Sequence, residues 1–296
     1  MSSMTCPEFP LEIASPAGTK CHTLDASRPT TIAFINQKGG CGKSSCCFHL
    51  GGFFAADGYR VLLVDADPQG SLSQGFFGSS FVESLVANQT IAAAFADDTD
   101  CGSAAAVIRA TDLDRLFVLP ANHTLAPFNV PRPESTGMRQ FALQQYLADL
   151  PGLDIVLVDC PPNLYQCSWN AMLTADYVVI PVPPEDFGAQ GLRMIHQGIR
   201  HAQALNPRVE LLGHLVTRFD GRLVIHRAYE RKLRQIHGAG VFQAVIPEAS
   251  AFKVALARRT PVTIAVPRSK AADLTRSLGR EIVQRIGGVS ALKRVA

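Results

Sequence analysis

The stretch Thr31-Ile-Ala-Phe-Ile-Asn-Gln-Lys-Gly-Gly-Cys-Gly-Lys-Ser-Ser45 constrains the chain more than any other. An apolar run with strand character stops at a glycine-rich turn, and a helical run follows. Gly39, Gly40 and Gly42 lack a Cβ, so the backbone can take positive φ and bring successive N–H groups up to phosphate oxygens. Lys43 adds a point charge for the outer phosphates, and Ser44 can offer its hydroxyl to Mg²⁺. A helix starting there aims its N-terminal dipole at the anion. The usual phosphate-loop pattern places glycine five residues before the Gly-Lys pair, but here Gln37 stands there, followed by a second lysine, Lys38.

Two further stretches carry acids at the ends of apolar runs. In Val61-Leu-Leu-Val-Asp65-Ala-Asp67-Pro-Gln-Gly70 the two carboxylates are spaced i, i+2 and project to one side of an extended chain. Asp154-Ile-Val-Leu-Val-Asp159-Cys-Pro-Pro-Asn163 ends in an acid able to bond a magnesium ion's water shell, and its Pro-Pro sets an extended turn able to respond to a γ-phosphate. Further strands are expected at Leu116–Ala121, Tyr177–Pro183, from Leu211, and at Val241–Pro247. Helices are expected at Ser45–Asp57, Ser135–Leu150, Phe187–Leu205 and Ile225–His237. Residues 71–115 read as a Ser/Gly/Phe-rich loop, an Ala-rich segment and an acidic patch at Asp97, Asp98 and Asp100, with no assignable chemistry. This alternation predicts an α/β fold, a doubly wound, mostly parallel sheet with helices on both faces and ligand at the carboxyl ends of the strands.

Lys38-Gly-Gly-Cys-Gly-Lys-Ser44 resembles the deviant Walker A motif of the ParA/MinD ATPases, a family that includes the ParA/Soj partition proteins. Asp65-Ala-Asp67-Pro-Gln and Asp159-Cys-Pro-Pro resemble the family's next two motifs, and the likeness runs from about Thr30 to Ile286. The resemblance implies an ATPase using ATP and Mg²⁺, with nucleotide held by Lys38, Gly39, Gly40, Cys41, Gly42, Lys43, Ser44 and Ser45. It implies a homodimer sandwiching ATP, in which Lys38 reaches nucleotide bound by the partner subunit. Lys43 would neutralise phosphate charge and Asp67 would orient the attacking water. Ser44, Asp65 and Asp159 would serve the metal, Asp65 also supporting the switch loop.

Charge points to a second partner. Residues 1–200 carry 11 Lys+Arg against 19 Asp+Glu, whereas residues 201–296 carry 17 against 6. At 100° per residue, Ile225, Tyr229, Leu233 and Ile236 share an apolar arc, with Arg227, Arg231 and Arg234 opposite. Arg276 and Arg280 likewise oppose Leu274, Leu278 and Ile282. With Arg222, Lys253, Arg258 and Arg259, these residues form a candidate surface for nonspecific DNA, since basic faces bind phosphates without reading bases. The family likeness adds a ParB-like partner that stimulates hydrolysis.

At 296 residues with 47% hydrophobic content, the chain can bury one large core. Residues 1–29 are expected to be a poorly ordered leader, too short for the helix-turn-helix domain that some relatives carry. Residues 30–286 would form the ATPase domain, and 287–296 a tail. No apolar run approaches the roughly 18 residues of a membrane span and no secretory signal is visible, so a cytoplasmic, nucleoid-associated protein is expected. The eight cysteines, without CxxC pairs, read as buried reduced thiols, and His196, His226 and His237 as ordinary surface or core residues. Two alternatives share these motifs: a MinD-like membrane-associated ATPase, which the weakly apolar tail disfavours, and a relative that positions a protein cargo.

Overall fold

The computed structural model describes residues 28–96, 103–184 and 189–293. Most of the expected leader, the acidic patch at 97–100, and Cys6, Cys21 and Cys101 lie outside the described residues. In chain order the elements are β1 (Thr30–Phe34), α1 (Lys43–Ala56), β2 (Val61–Asp65), α2 (Ser71–Phe77), α3 (Ser79–Ser84), α4 (Ala104–Val107), β3 (Arg109–Ala110) and β4 (Leu116–Leu119). There follow α5 (Ala142–Tyr146), β5 (Ile155–Asp159), α6 (Gln166–Thr174), β6 (Tyr177–Val182), α7 (Ala189–Gln203) and β7 (Glu210–Val216). The chain then forms α8 (Val224–His237), α9 (Ser250–Ala257), α10 (Val262–Ala265) and α11 (Lys270–Lys293).

The strands form a seven-stranded sheet in the order β3-β4-β2-β5-β1-β6-β7, parallel throughout except at β3. Each central strand is buried on both faces, which explains why β1, β2 and β5 are continuous apolar runs rather than alternating ones. Successive side chains nevertheless serve different layers. Ile32, Phe34, Val61 and Leu63 pack with Phe48 and Phe54 of α1 and with Leu278 and Ile282 of α11. Ala33, Ile35, Leu62 and Val64 pack with Met172 of α6, Ile195 of α7, and Tyr229 and Leu233 of α8. Helices therefore cover both faces, as the alternation of elements predicts. The ring of Phe53 lies directly over Gly279, where any Cβ would collide with it, so glycine at 279 is what lets α11 seat on α1.

Four expectations are corrected. Residues 71–84 are not loop but the two short helices α2 and α3. The helix expected over Ser135–Leu150 is a 3₁₀ segment, Pro133–Phe141, broken at Gly137 (φ 60°), followed by α5. Val241–Pro247 forms only isolated parallel bridges, His214 with Val241 and Phe219 with Pro247. The Phe242 and Ile246 N–H groups donate to the His214 and Val216 carbonyls, but between them the N–H groups of Gln243 and Ala244 donate to the Glu281 carboxylate at 2.8 and 2.9 Å, and Pro247 has none to give. On α8, Ile225 and Ile236 are exposed while His226, Tyr229 and Leu233 are buried. At the other end, α11 continues past Ile286 to Lys293 without a break.

Candidate nucleotide site

Strand register builds the site. Asp159 is aligned with Phe34 on one side and Asp65 on the other, so β1, β5 and β2 deliver the glycine-rich turn and two acids to one edge of the sheet. The turn reaches α1 through Gly42, whose φ of 93° is open to glycine and costly for residues with a Cβ. Lys43 begins α1 and is buried. Its Nζ donates to the carbonyls of Asn36 (3.0 Å) and Lys38 (3.2 Å), so the cation is folded onto its own turn. Lys38 is half-buried, and its N–H donates to Asn36 Oδ1 at 3.0 Å. Asn36 is anchored in turn by Nδ2 to the carbonyl of Pro181.

The three acids are in unlike states. Asp65 is fully buried and accepts from the Ser73 hydroxyl (2.7 Å), the Ser73 N–H (2.9 Å) and the Asp67 N–H (3.2 Å). Burial pushes its carboxyl up to about 7, and those bonds oppose the shift. Oδ2 thus ties β2 to the start of α2, and Oδ1 holds the turn at Asp67. Asp67 lies at the cavity wall, its Oδ1 accepting from the Gln69 N–H at 3.0 Å. Asp159 is fully buried with neither oxygen hydrogen-bonded. Burial first, then the charge of Asp65, raise its pKa well above the usual carboxylate range. Ser44 lies close enough to lower it in part, although not at hydrogen-bond geometry. An orphaned carboxylate beside a hydroxyl fits a hard divalent cation, which takes oxygen ligands directly or through water.

The cleft at this edge has a volume of about 500 Å³. Gly39 through Ser45 line it, with Asp67, Gln69 and Pro162 on another wall and Phe252, Lys253 and Leu256 of α9 on a third. The turn is braced from β7: the Thr217 hydroxyl donates to the Cys41 carbonyl at 2.7 Å, and Arg218 Nη1 to the Gly40 carbonyl at 3.4 Å. Cys41, Cys46, Cys47, Cys160 and Cys167 are free and buried, as expected of reduced thiols. Burial holds all five above the ordinary thiol range.

Residues 29–211 match a family model described as an AAA domain. The chromosome-partitioning ATPase Soj of Treponema pallidum is 30% identical over 259 residues, covering 87% of this chain and 98% of that protein. The chain belongs to the Soj/ParA family of partition ATPases. Solved structures share the Soj/ParA-like fold found here. McdA of Cyanothece in complex with ATP aligns with a TM-score of 0.74 at 20% identity, covering 88% of this chain and 96% of that one. Cobyrinic acid a,c-diamide synthase of Mycobacterium smegmatis, with bound ADP and magnesium, gives 0.70 at 26% identity over 86% and 93%.

In this Soj/ParA chain the basic residues singled out from sequence fall on several elements. On α8, Arg234 pairs with Glu230, Arg227 donates to the Gly221 carbonyl, and Arg231 is exposed. Just before α8, Arg222 pairs with Asp220. Past α9, Arg258 donates to the Ala265 carbonyl, and the guanidinium of Arg259 lies against Gly78. On α11, Arg276 pairs with Asp273, while Arg280 and Lys270 line a groove shared with Phe219 and Gly221. Lys253 instead lines the nucleotide cleft. Sequence reasoning missed Thr217, which has no local signal, and Ser73 and Asn36, whose only signal is a polar side chain next to a motif. It also missed that His196 and His237 meet His214 of β7, with His196 Nε2 3.0 Å from His214 Nε2. Among the described residues no helix is long and apolar enough to cross a membrane, and no group of three or more His, Cys, Asp or Glu could hold a metal ion.

Proposed function

We propose that this chain is an ATP-driven partition switch: it forms an ATP-sandwich dimer, binds DNA nonspecifically in that state, and hydrolyses ATP on stimulation by a ParB-like partner to segregate plasmid or chromosomal DNA. The observation that carries the reading is the orphaned Asp159 beside Ser44, in the same cleft edge as Lys43 and Asp67. Ser44 and Asp159 would hold Mg²⁺, with Asp65 in support through the α2 loop. Bound there, the ion would supply charge neutralisation at the phosphates. Lys43 exchanges two backbone carbonyls for phosphate oxygens, a stronger charge-assisted pairing. Asp67, steadied by the Gln69 N–H, orients the water for in-line attack on the γ-phosphate, and Lys38 brings a second cation across the dimer. Family membership supports the ATPase and partition reading, and the basic C-terminal third supports the DNA arm.

The test is binding to a random-sequence duplex without nucleotide, with ADP and with ATP at several salt concentrations, using native protein and Lys38→Ala. The reading expects binding with ATP alone, lost as salt rises and lost in the variant. Equal DNA binding in all three nucleotide states, or none in any, overturns the switch.

A further inference from the structure

The nucleotide cleft has a cation that the glycine-rich turn does not supply. Lys253 of α9 lines it, and its Nζ lies 3.4 Å from Glu248 Oε1. The other oxygen of Glu248 lies 3.6 Å from Arg218 Nη2. Arg218 reaches the Gly40 carbonyl through Nη1, so one carboxylate spans a cation on the cleft wall and a cation bonded to the phosphate-binding turn. The backbone fixes this arrangement: the Phe219 N–H donates to the Ile246 carbonyl at 3.1 Å, and Phe219 bridges Pro247 in parallel. Residues 218 and 248 thus flank the 219–247 pair on opposite sides, close enough for the long Arg218 side chain to reach Glu248. Glu248 is an acid close to a cation of the cleft wall.

Lys253 is 76% exposed and Glu248 50%, and their ion pair is long. Pairs of this kind contribute little and exchange easily for a stronger partner. A polyphosphate carries more charge than one carboxylate and offers the ammonium several acceptor oxygens. We infer that Lys253 is a further nucleotide-binding residue that contacts the phosphate chain, and that Glu248 is its resting partner, displaced when nucleotide enters. The inference rests on the nucleotide reading of the cleft. It gives Glu248 a defined effect, since the acid competes with nucleotide for Lys253 and repels it. Substituting the acid therefore strengthens binding, an outcome that a purely scaffolding residue would not produce.

The experiment is titration of fluorescent methylanthraniloyl-ATP with Mg²⁺ into native protein, Lys43→Ala, Lys253→Ala, Lys253→Arg and Glu248→Gln, with circular dichroism to confirm folding. Lys253→Ala is expected to weaken binding about tenfold, the worth of one charge-assisted contact. Lys253→Arg should stay within about twofold of native, and Glu248→Gln should tighten binding several-fold. In the double variant Lys253→Ala/Glu248→Gln, most of that gain should disappear. Native affinity in Lys253→Ala, with binding still lost in Lys43→Ala, overturns the role of Lys253 and leaves the nucleotide site standing. An arginine variant as weak as the alanine variant also overturns it. Absence of binding by native protein overturns the nucleotide reading itself.

Discussion

Asp159 is buried with both oxygens unpartnered, an arrangement that costs stability until something cationic meets it. Asp159→Asn removes the charge and keeps the shape. In thermal unfolding without nucleotide, the variant should therefore be more stable than native protein by about 1 kcal/mol or more. Its Mg²⁺-dependent ATP hydrolysis should fall by about a hundredfold or more. Equal melting temperatures, or undiminished turnover, would remove Asp159 from the metal's surroundings. Thr217 makes the complementary case. Its hydroxyl holds the Cys41 carbonyl at 2.7 Å in the interior, so Thr217→Val should cost about 1–2 kcal/mol in urea unfolding and weaken nucleotide binding as the turn loosens. The lysine, glycines and acids of the cleft were legible because each belongs to a short motif whose spacing has a chemical reason. Thr217 was not, because it lies 176 residues from Cys41 and nothing local distinguishes it from any other threonine at a strand end. Asp65 was legible in part: its support of the loop is visible as bonds to Ser73, a partner that sequence alone did not suggest.

Element boundaries followed local pattern where burial was two-sided and departed from it where side chains replaced backbone partners. The runs at β1, β2, β5 and β6 needed no long-range information, since continuous apolar residues bounded by turns have few other uses. Val241–Pro247 looked the same, but Glu281 on α11 takes the donors in its middle, those of Gln243 and Ala244, a competition no window of sequence contains. On α8 the periodicity was right and the phase was off. His226 takes a buried position, its Nδ1 accepting from the Asp220 N–H at 2.9 Å, and turns Ile225 outward. The same third of the fold joins three histidines across α7, β7 and α8. Burial first, then His237, lower the pKa of His214 to about 4, against the Gly240 carbonyl, which raises it. His196 and His237 are also lowered, by burial first, and His49 of α1 is lowered to about 3. An unfolded histidine titrates near 6.5. The native state therefore refuses protons that the unfolded chain accepts, and stability present above pH 6.5 is lost as pH falls toward 4. Asp65, raised to about 7, runs the opposite way, gaining stability as pH falls. The informative comparison is thus between proteins. Between pH 7 and pH 5, urea unfolding of native protein should lose about 1–2 kcal/mol relative to His214→Gln over the same interval. Parallel pH profiles would mean that the cluster titrates as it does in water.

At the scale of the whole molecule, the basic third is a set of faces whose charges are not equally available. Arg222, Arg234 and Arg276 hold acids, at 2.7, 2.9 and 2.8 Å, and a DNA phosphate gains less from a guanidinium already paired. Arg231 and Arg280 are exposed and show no ion pair among the described residues. Arg280 also lines, with Lys270 and Ser277, a groove of about 780 Å³ that runs past Gly221 at the approach to α8. That groove joins α11 to the loop carrying Thr217 and Arg218, which brace the nucleotide turn. Each phosphate contact adds roughly 0.9 to the slope of log affinity against log salt. In the ATP state, Arg280→Ala should therefore flatten that slope by about one contact and weaken random-sequence DNA binding, whereas Arg276→Ala should change the slope by less. Both variants should keep native nucleotide affinity, because neither residue reaches the cleft. An unchanged slope in Arg280→Ala, with ATP-dependent binding intact, would move the DNA surface off this groove and onto α8, where Arg231→Ala would be the next variant to titrate.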